Sequence, residues 1–389
     1  MFPTLQGRSG VNGILASAGF YLPLYDSGSG AVNTTLSRGV GSATFTRTTE
    51  AACRLSTGLW KLDVAAGVAR SHYWEFSAGT MTYGGYLAEP AATQILTAPR
   101  DMTNVAWTAG ATITAAQDGT GIDGVANSCT RLTGGAVEAT NTVLQTITAA
   151  ASSRTYSAFI KRVTGTGAIG ICQDGVTFTD ISAELNSTSF VQVQLNASQL
   201  NAVIGIQVSV DGDVILVDCN QFEAGAIATT PIPAAGSRAV DVLTYTFSGN
   251  ATAAAGTAYA EVATLWSTSE LSAVAVGFGS NLQYAIGNTV ADASTVCRCR
   301  DGTNSIAKSA LTNMTTGVRK RASSWGSGIV VTGDGATAAT GSFDGDIGSS
   351  GIGIGIEGDG VGSSRIGTLK NVRIWTAQLP NQQLQAVTS

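Results

Sequence analysis

Asp-Gly pairs punctuate this chain, among them those at 118–119, 123–124, 174–175, 211–212 and 301–302, and short segments of alternating polarity lie between them. That combination limits the fold more than any other feature of the sequence. Asp tolerates the left-handed backbone region and Gly is free in it, so such pairs close hairpins without strain. Alternation sends one set of side chains to a core and the other to solvent. In residues 190–195 the apolar Val191, Val193 and Leu195 alternate with Gln192 and Gln194, and in 155–161 Tyr156, Ala158 and Ile160 share a face. Residues 142–148 are rich in β-branched side chains, and Val214-Ile215-Leu216-Val217 is continuously apolar, as in a strand buried on both faces. A 3.6-residue period is clear only at the C-terminus, where residues 379–387 predict a short helix with Pro380 in its first turn. The pattern predicts an all-β protein built of antiparallel sandwiches.

The 389 residues leave room for two or three domains. Charged residues are only 12% of the chain, about half the usual share, yet 44% hydrophobic residues suffice for a real core. No apolar run approaches the ~18 residues that a membrane-spanning helix needs. A net charge of -5 argues against nucleic acid, which calls for a basic stripe. No secretion signal is expected, because the apolar stretch 11–25 is broken by Asn12, Gly13, Gly19 and Pro23. In Gly351-Ile352-Gly353-Ile354-Gly355-Ile356, alternation puts three Ile on one face and three Gly on the other. The Ile face reads as core, and the Gly face lets a backbone or a ligand come close. A nucleotide-binding loop would need a helix to follow, and no helix pattern follows. Three segments result: an irregular Gly- and Ser-rich arm over 1–85, a strand-rich block over 86–238, and a second over 239–389, with a linker at 231–237.

Residues that could carry chemistry are few. His72 is the only His and sits among Tyr73, Trp74 and Glu75, so it reads as a structural residue in an aromatic cluster. The six Cys (53, 129, 172, 219, 297 and 299) read as small buried hydrophobes, and Cys297 and Cys299, on one face of a strand, are badly placed to bond each other. The carboxylate pairs Asp211 with Asp213, Asp344 with Asp346, and Glu357 with Asp359 are spelled as hairpin turns. A retaining glycosidase needs two carboxylates ~5 Å apart across a cleft, which spacing in sequence does not supply. No catalytic residue, metal ligand or cofactor is expected, and the acidic turns are where a structural calcium would sit. Of the six Trp, Trp107 and Trp375 read as packing residues. Trp325, in the polar and small stretch 321–328, is the candidate face for stacking a sugar ring, with core packing as the alternative.

Three stretches carry a family resemblance. The first is Phe45-Thr46-Arg47, then Gly58-Leu59, Arg70, and Gly85-Tyr86-Leu87-Ala88-Glu89-Pro90 through Thr93-Gln94, with Gln94 where Asn is usual. The second runs from Asn104-Val105-Ala106-Trp107-Thr108 to Gln221-Phe222-Glu223-Ala224-Gly225 and Pro231-Ile232-Pro233. The third is Arg365-Ile366-Gly367, Asn371-Val372-Arg373-Ile374-Trp375 and Leu384-Gln385-Ala386-Val387-Thr388. Together they resemble the tail-fibre, spike and head-fibre proteins of tailed bacteriophages, with a carbohydrate-binding-module-like jelly roll over 86–238 and a laminin-G or concanavalin-like sandwich over 239–389. The resemblance implies a non-enzymatic virion structural protein, made in the host bacterial cytoplasm and displayed on the virion surface, that binds host cell-surface glycan. The alternatives it leaves are a capsid or tail decoration protein and a glycan-degrading tailspike. It implies a homo-oligomer, a trimer first. Residues 1–85, whose scattered aromatics cannot be buried within an irregular arm, are expected to dock on other virion proteins.

Overall fold

The computed structural model describes residues 7–24, 34–70, 73–77, 80–264, 273–279, 283–288, 296–300, 306–310, 318–343, 345, 347–361 and 367–389. The chain is almost all β, with antiparallel sheets stacked into two sandwiches. The first sandwich faces one five-stranded sheet against another. The sheet with the longer strands has the order Val191–Ser198, Ser153–Thr164, Val214–Ala224, Cys129–Thr133, Thr114–Gly119. Its partner has the order Thr179–Asp180, Ile169–Cys172, Val203–Val208, Thr142–Thr146, Thr108–Ala109. The alternation read from the sequence fills the space between them: Tyr156, Ala158 and Ile160 point inward with Val193, Ile204, Ile206, Ile215 and Val217. Trp107 is the anchor expected of it, buried with its indole N–H donating to the Ala98 carbonyl at 3.1 Å.

Asp123-Gly124, Asp174-Gly175 and Asp211-Gly212 do close turns, each Gly at φ between 75° and 78°. Asp118-Gly119 does not; it ends a strand, at a register shift opposite Cys129 and Arg131. The pair Asp301-Gly302 lies outside the described residues. The apolar run 214–217 is also not buried on both faces. Ile215 and Val217 enter the core, whereas Val214 and Leu216 are half-buried on the outer face.

The second sandwich departs from the expected boundaries. Its eight-stranded sheet runs Ala339–Gly341, Ile329–Gly333, Arg319–Trp325, Gly256–Thr264, Gly367–Trp375, Thr80–Ala88, Tyr73–Ser77, with Phe20–Leu22 also paired to Gly367–Trp375. The facing sheet includes Thr44–Thr46 beside Val242–Tyr245, then Ile352–Ile354 and Ala273–Gly277. In its described residues, 1–85 is therefore not an irregular arm but a source of strands for this sandwich. Phe20 and Leu22 are fully buried, opposite Ile374 and Val372. A three-residue strand is too short to show a period, so its partner some 350 positions away is what orders it. The first sandwich is inserted into the second. The chain leaves along Ala92–Gln94 and returns along Gly236–Arg238, and these two segments pair antiparallel as a stem.

Two helices close the outer face of the eight-stranded sheet. Asn381–Thr388 is the C-terminal helix predicted, with Pro380 just ahead of it at the N-cap. Gly7–Ala16 was not predicted; its Gly7, Gly10 and Gly13 hid an apolar stripe, Val11, Ile14 and Leu15, that packs near Trp375 and Leu384. The Ile face of 351–356 is core as expected, with Ile352, Ile354 and Ile356 buried. Its Gly face meets the chain's own backbone: a Cβ on Gly353 would run into the carbonyl oxygens of Ile356 and Glu357.

Candidate functional site

Between the two sandwiches lies a hairpin, Ala51–Arg54 with Trp60–Val64, that lays its apolar side on the outer face of the first sandwich. Its turn is built on Gly58, at φ 83°, with Leu55 N–H donating to the Leu59 carbonyl at 2.8 Å. Trp60 is the foot: it is buried, its ring meets Phe159 edge-on at 5.5 Å, and its backbone N–H donates to the Ile122 carbonyl at 2.9 Å. Ala52, Cys53, Leu62, Leu87 and Cys219 complete this contact.

Beside that foot an open groove of about 620 Å³ remains. Its floor is the outward side of three neighbouring strands. Register places Arg131 opposite Leu216, and Leu216 opposite Lys161, so the three form one row across the sheet. Phe190, half-buried, and Leu59, 42% exposed, add apolar side chains to the lining. Thr57, Thr120, Thr188 and Ser189 add hydroxyls to the lining. The groove's charged side chains are three cations, Arg54, Arg131 and Lys161, against one carboxylate, Asp118. Asp118 accepts from Arg131 Nε at 2.9 Å. The Arg54 guanidinium lies 5.9 Å from the Trp60 ring centre.

The wall formed by residues 121–128 is held from below. Arg100 donates to Asp123 at 2.8 Å and to Asp218 at 2.8 Å, and Asp218 also accepts from Ile122 N–H at 2.8 Å. Burial alone would raise the Asp123 carboxyl, but the Arg100 hydrogen bonds hold it below the usual carboxylate range. Asp218 precedes Cys219, whose φ of 44° marks a bulge opposite Ser157 and Phe159. Burial pushes the thiol of Cys219 well up, that of Cys129 to about 12 and that of Cys172 to about 11. With Cys53 they are buried thiols, the reading their sequence positions suggested.

Trp325 is not where a ligand could stack on it. It is fully buried, its ring lies against Phe278 at 5.2 Å, and its indole N–H donates to the Thr252 carbonyl at 3.1 Å. Gly256 makes room for it, since a Cβ there would overlap the indole. The small polar neighbours that suggested exposure, Ser323 and Ser324, are themselves buried in the sheet. Trp375 is core, as expected. Asp213 accepts from Gly167 N–H at 2.7 Å and pairs with Arg162 at 3.3 Å, and Asp359 caps its own turn through Val361 N–H at 2.9 Å. Those carboxylates hold turns rather than a ligand. His72, Asp344, Asp346 and the side chains of Trp74, Cys297 and Cys299 lie outside the described residues. Among the described residues no group of three or more His, Cys, Asp or Glu is placed to hold a metal ion, and no helix is long and apolar enough to cross a membrane. The groove residues escaped the sequence reading because they come from five separate segments. The one signal available was Lys161 and Arg131 on the polar side of alternating strands.

No family model matches the chain, and no curated protein sequence matches it either. Among solved structures it is similar to domain 4 of AbnA, a GH43 extracellular arabinanase from Geobacillus stearothermophilus, determined in complex with arabinotriose. That likeness has a TM-score of 0.28 at 10% identity, covering 39% of this chain and 73% of that one. At this level it bears on neither the fold nor the function here.

Proposed function

We propose that this chain is a non-enzymatic, saccharide-binding protein of a tailed-bacteriophage virion surface, and that host-surface glycan sits in the groove beside Trp60. The groove is the observation that carries the reading. It is open, its floor is strand rather than loop, and it offers hydroxyls and long cationic donors beside two apolar side chains, Leu59 and Phe190. Sugars present the same mixture, apolar ring faces edged with hydroxyls, so such a lining suits them. Binding without cleavage fits the charges: glycoside hydrolysis by its common route uses two carboxylates, and the groove lining brings one, already engaged by Arg131. The virion setting, its other structural proteins as partners and a homo-oligomer, trimer first, rest on the three resembling stretches of sequence. With Phe20, Leu22 and Leu24 buried inside the chain, attachment would use folded surface rather than a detachable arm.

The test is calorimetric titration of the full chain with purified host surface polysaccharides. At least one should bind, Phe190→Ala should weaken it, and no oligosaccharide should be released on long incubation. Binding untouched by groove substitutions, or release of fragments, would overturn the reading. Labelling of the protein on intact particles by electron microscopy would check its place in the virion.

A further inference from the structure

The groove is a cationic site on an acidic chain. The whole sequence holds 21 Lys and Arg against 26 Asp and Glu, yet the groove lining reverses that balance. Building on the saccharide reading, we infer that the ligand is an anionic saccharide, one carrying carboxylate or phosphate groups, and that Arg131 and Lys161 are the residues that select it. Three of the chain's 21 Lys and Arg come together here through the tertiary structure.

The row across the sheet gives the geometry. Arg131 and Lys161 flank Leu216 on neighbouring strands, which puts their Cα atoms about 10 Å apart at ordinary strand spacing. Both side chains rise from the same face, and Leu216 between them offers an apolar seat for a sugar ring. Lys161 is half-buried, and its ammonium has no hydrogen bond or ion pair among the described residues. Its ammonium is therefore available to pair with an anion in the groove. Arg131 is engaged differently. Asp118 accepts from its Nε alone, which orients the guanidinium and leaves the two terminal nitrogens as a fork. Such a fork matches a carboxylate or a phosphate in bidentate fashion. The Thr188 and Ser189 hydroxyls and Phe190 lie along the same groove for the uncharged part of the sugar.

The experiment titrates the full chain with three probes of matched length: a neutral glucan oligosaccharide, an oligogalacturonate and a poly(glycerol phosphate). An acidic probe should bind at least about tenfold more tightly than the neutral one, the size of one charge-assisted contact. That preference should shrink as salt is raised. Lys161→Gln and Arg131→Lys should each remove most of the preference, weakening the acidic probe far more than the neutral one, with thermal melts showing that both variants fold. Which acidic probe binds separates carboxylate from phosphate. Equal affinity for neutral and acidic probes, or a preference that survives both substitutions, overturns the inference. If the neutral probe alone binds and Phe190→Ala abolishes it, the saccharide reading stands and the anionic one falls. If no probe or host polysaccharide binds, both fall.

Discussion

Glu89 has no solvent exposure, and it accepts at once from Arg70 at 2.6 Å, from Thr230 N–H at 2.8 Å and from the Thr230 hydroxyl at 2.6 Å, with Arg238 at 3.1 Å. Asp241, also buried, pairs with Arg70 and with Arg47. Thus the residues behind the first resembling stretch, Arg47, Arg70 and Glu89, form one buried ion network where the two sandwiches meet. Gln94, at the end of that stretch, does similar structural work: its amide nitrogen donates to the Asn220 carbonyl, and its oxygen accepts from Leu96 and Phe222 N–H. Glu89→Gln would leave Arg70 and Arg238 short of a counter-charge and should cost about 3–5 kcal/mol in urea denaturation. Burial alone would raise the Glu89 carboxyl, but Arg238 and Arg70 hold it below the usual value. A depressed carboxyl contributes stability that is present above its unfolded value, near ~4.3, and is lost as pH falls through the folded one. The melting temperature should therefore drop below about pH 4 in the wild type, with a shallower drop in Glu89→Gln. Trp325→Ala should cost about 3–5 kcal/mol through the cavity it leaves, with saccharide affinity unchanged. A selective loss of binding instead would restore Trp325 as a ligand contact.

At the scale of the element, the hairpin over 51–64 joins structure to site. It is a two-stranded ribbon, and such ribbons are marginal unless they pack on something. Trp60 on Phe159 supplies that packing. Trp60→Ala should free the hairpin before the sandwiches melt. Amide exchange should quicken across 51–64 and stay slow in Ser153–Thr164, whose inner face is independent core. Saccharide affinity should fall together with hairpin protection, because the hairpin is one wall of the groove. Unchanged affinity with a mobile hairpin would show that the floor row alone binds.

The whole molecule is one sandwich carried inside another. Deleting residues 1–85 would strip Phe20–Leu22 from Gly367–Trp375 and Thr44–Thr46 from Val242–Tyr245, and would remove the Tyr73–Ser77 strand with the residues 80–85 that pair with it. It would also remove Arg47 and Arg70, the two cations paired with the buried Asp241. The truncated chain should be insoluble or bind hydrophobic dyes, whereas a detachable arm would leave a soluble two-sandwich protein. Solubility in the supernatant and a cooperative melt decide between the two.

Local pattern by itself determined the strand content, three of the Asp-Gly turns, the inward faces of the first sandwich, the C-terminal helix and the Ile face of 351–356. Each depends on neighbours in the sequence, because alternation and turn chemistry act over a few residues. Tertiary structure alone decided that the N-terminal strands join the second sandwich, since Phe20 finds Ile374 only when the whole chain has folded. It also decided that Trp325 is core, because Phe278 and Gly256 close over it. The groove belongs to the same class. Arg131, Leu216 and Lys161 become a row only through strand register, and register is set by long-range packing that no single segment encodes.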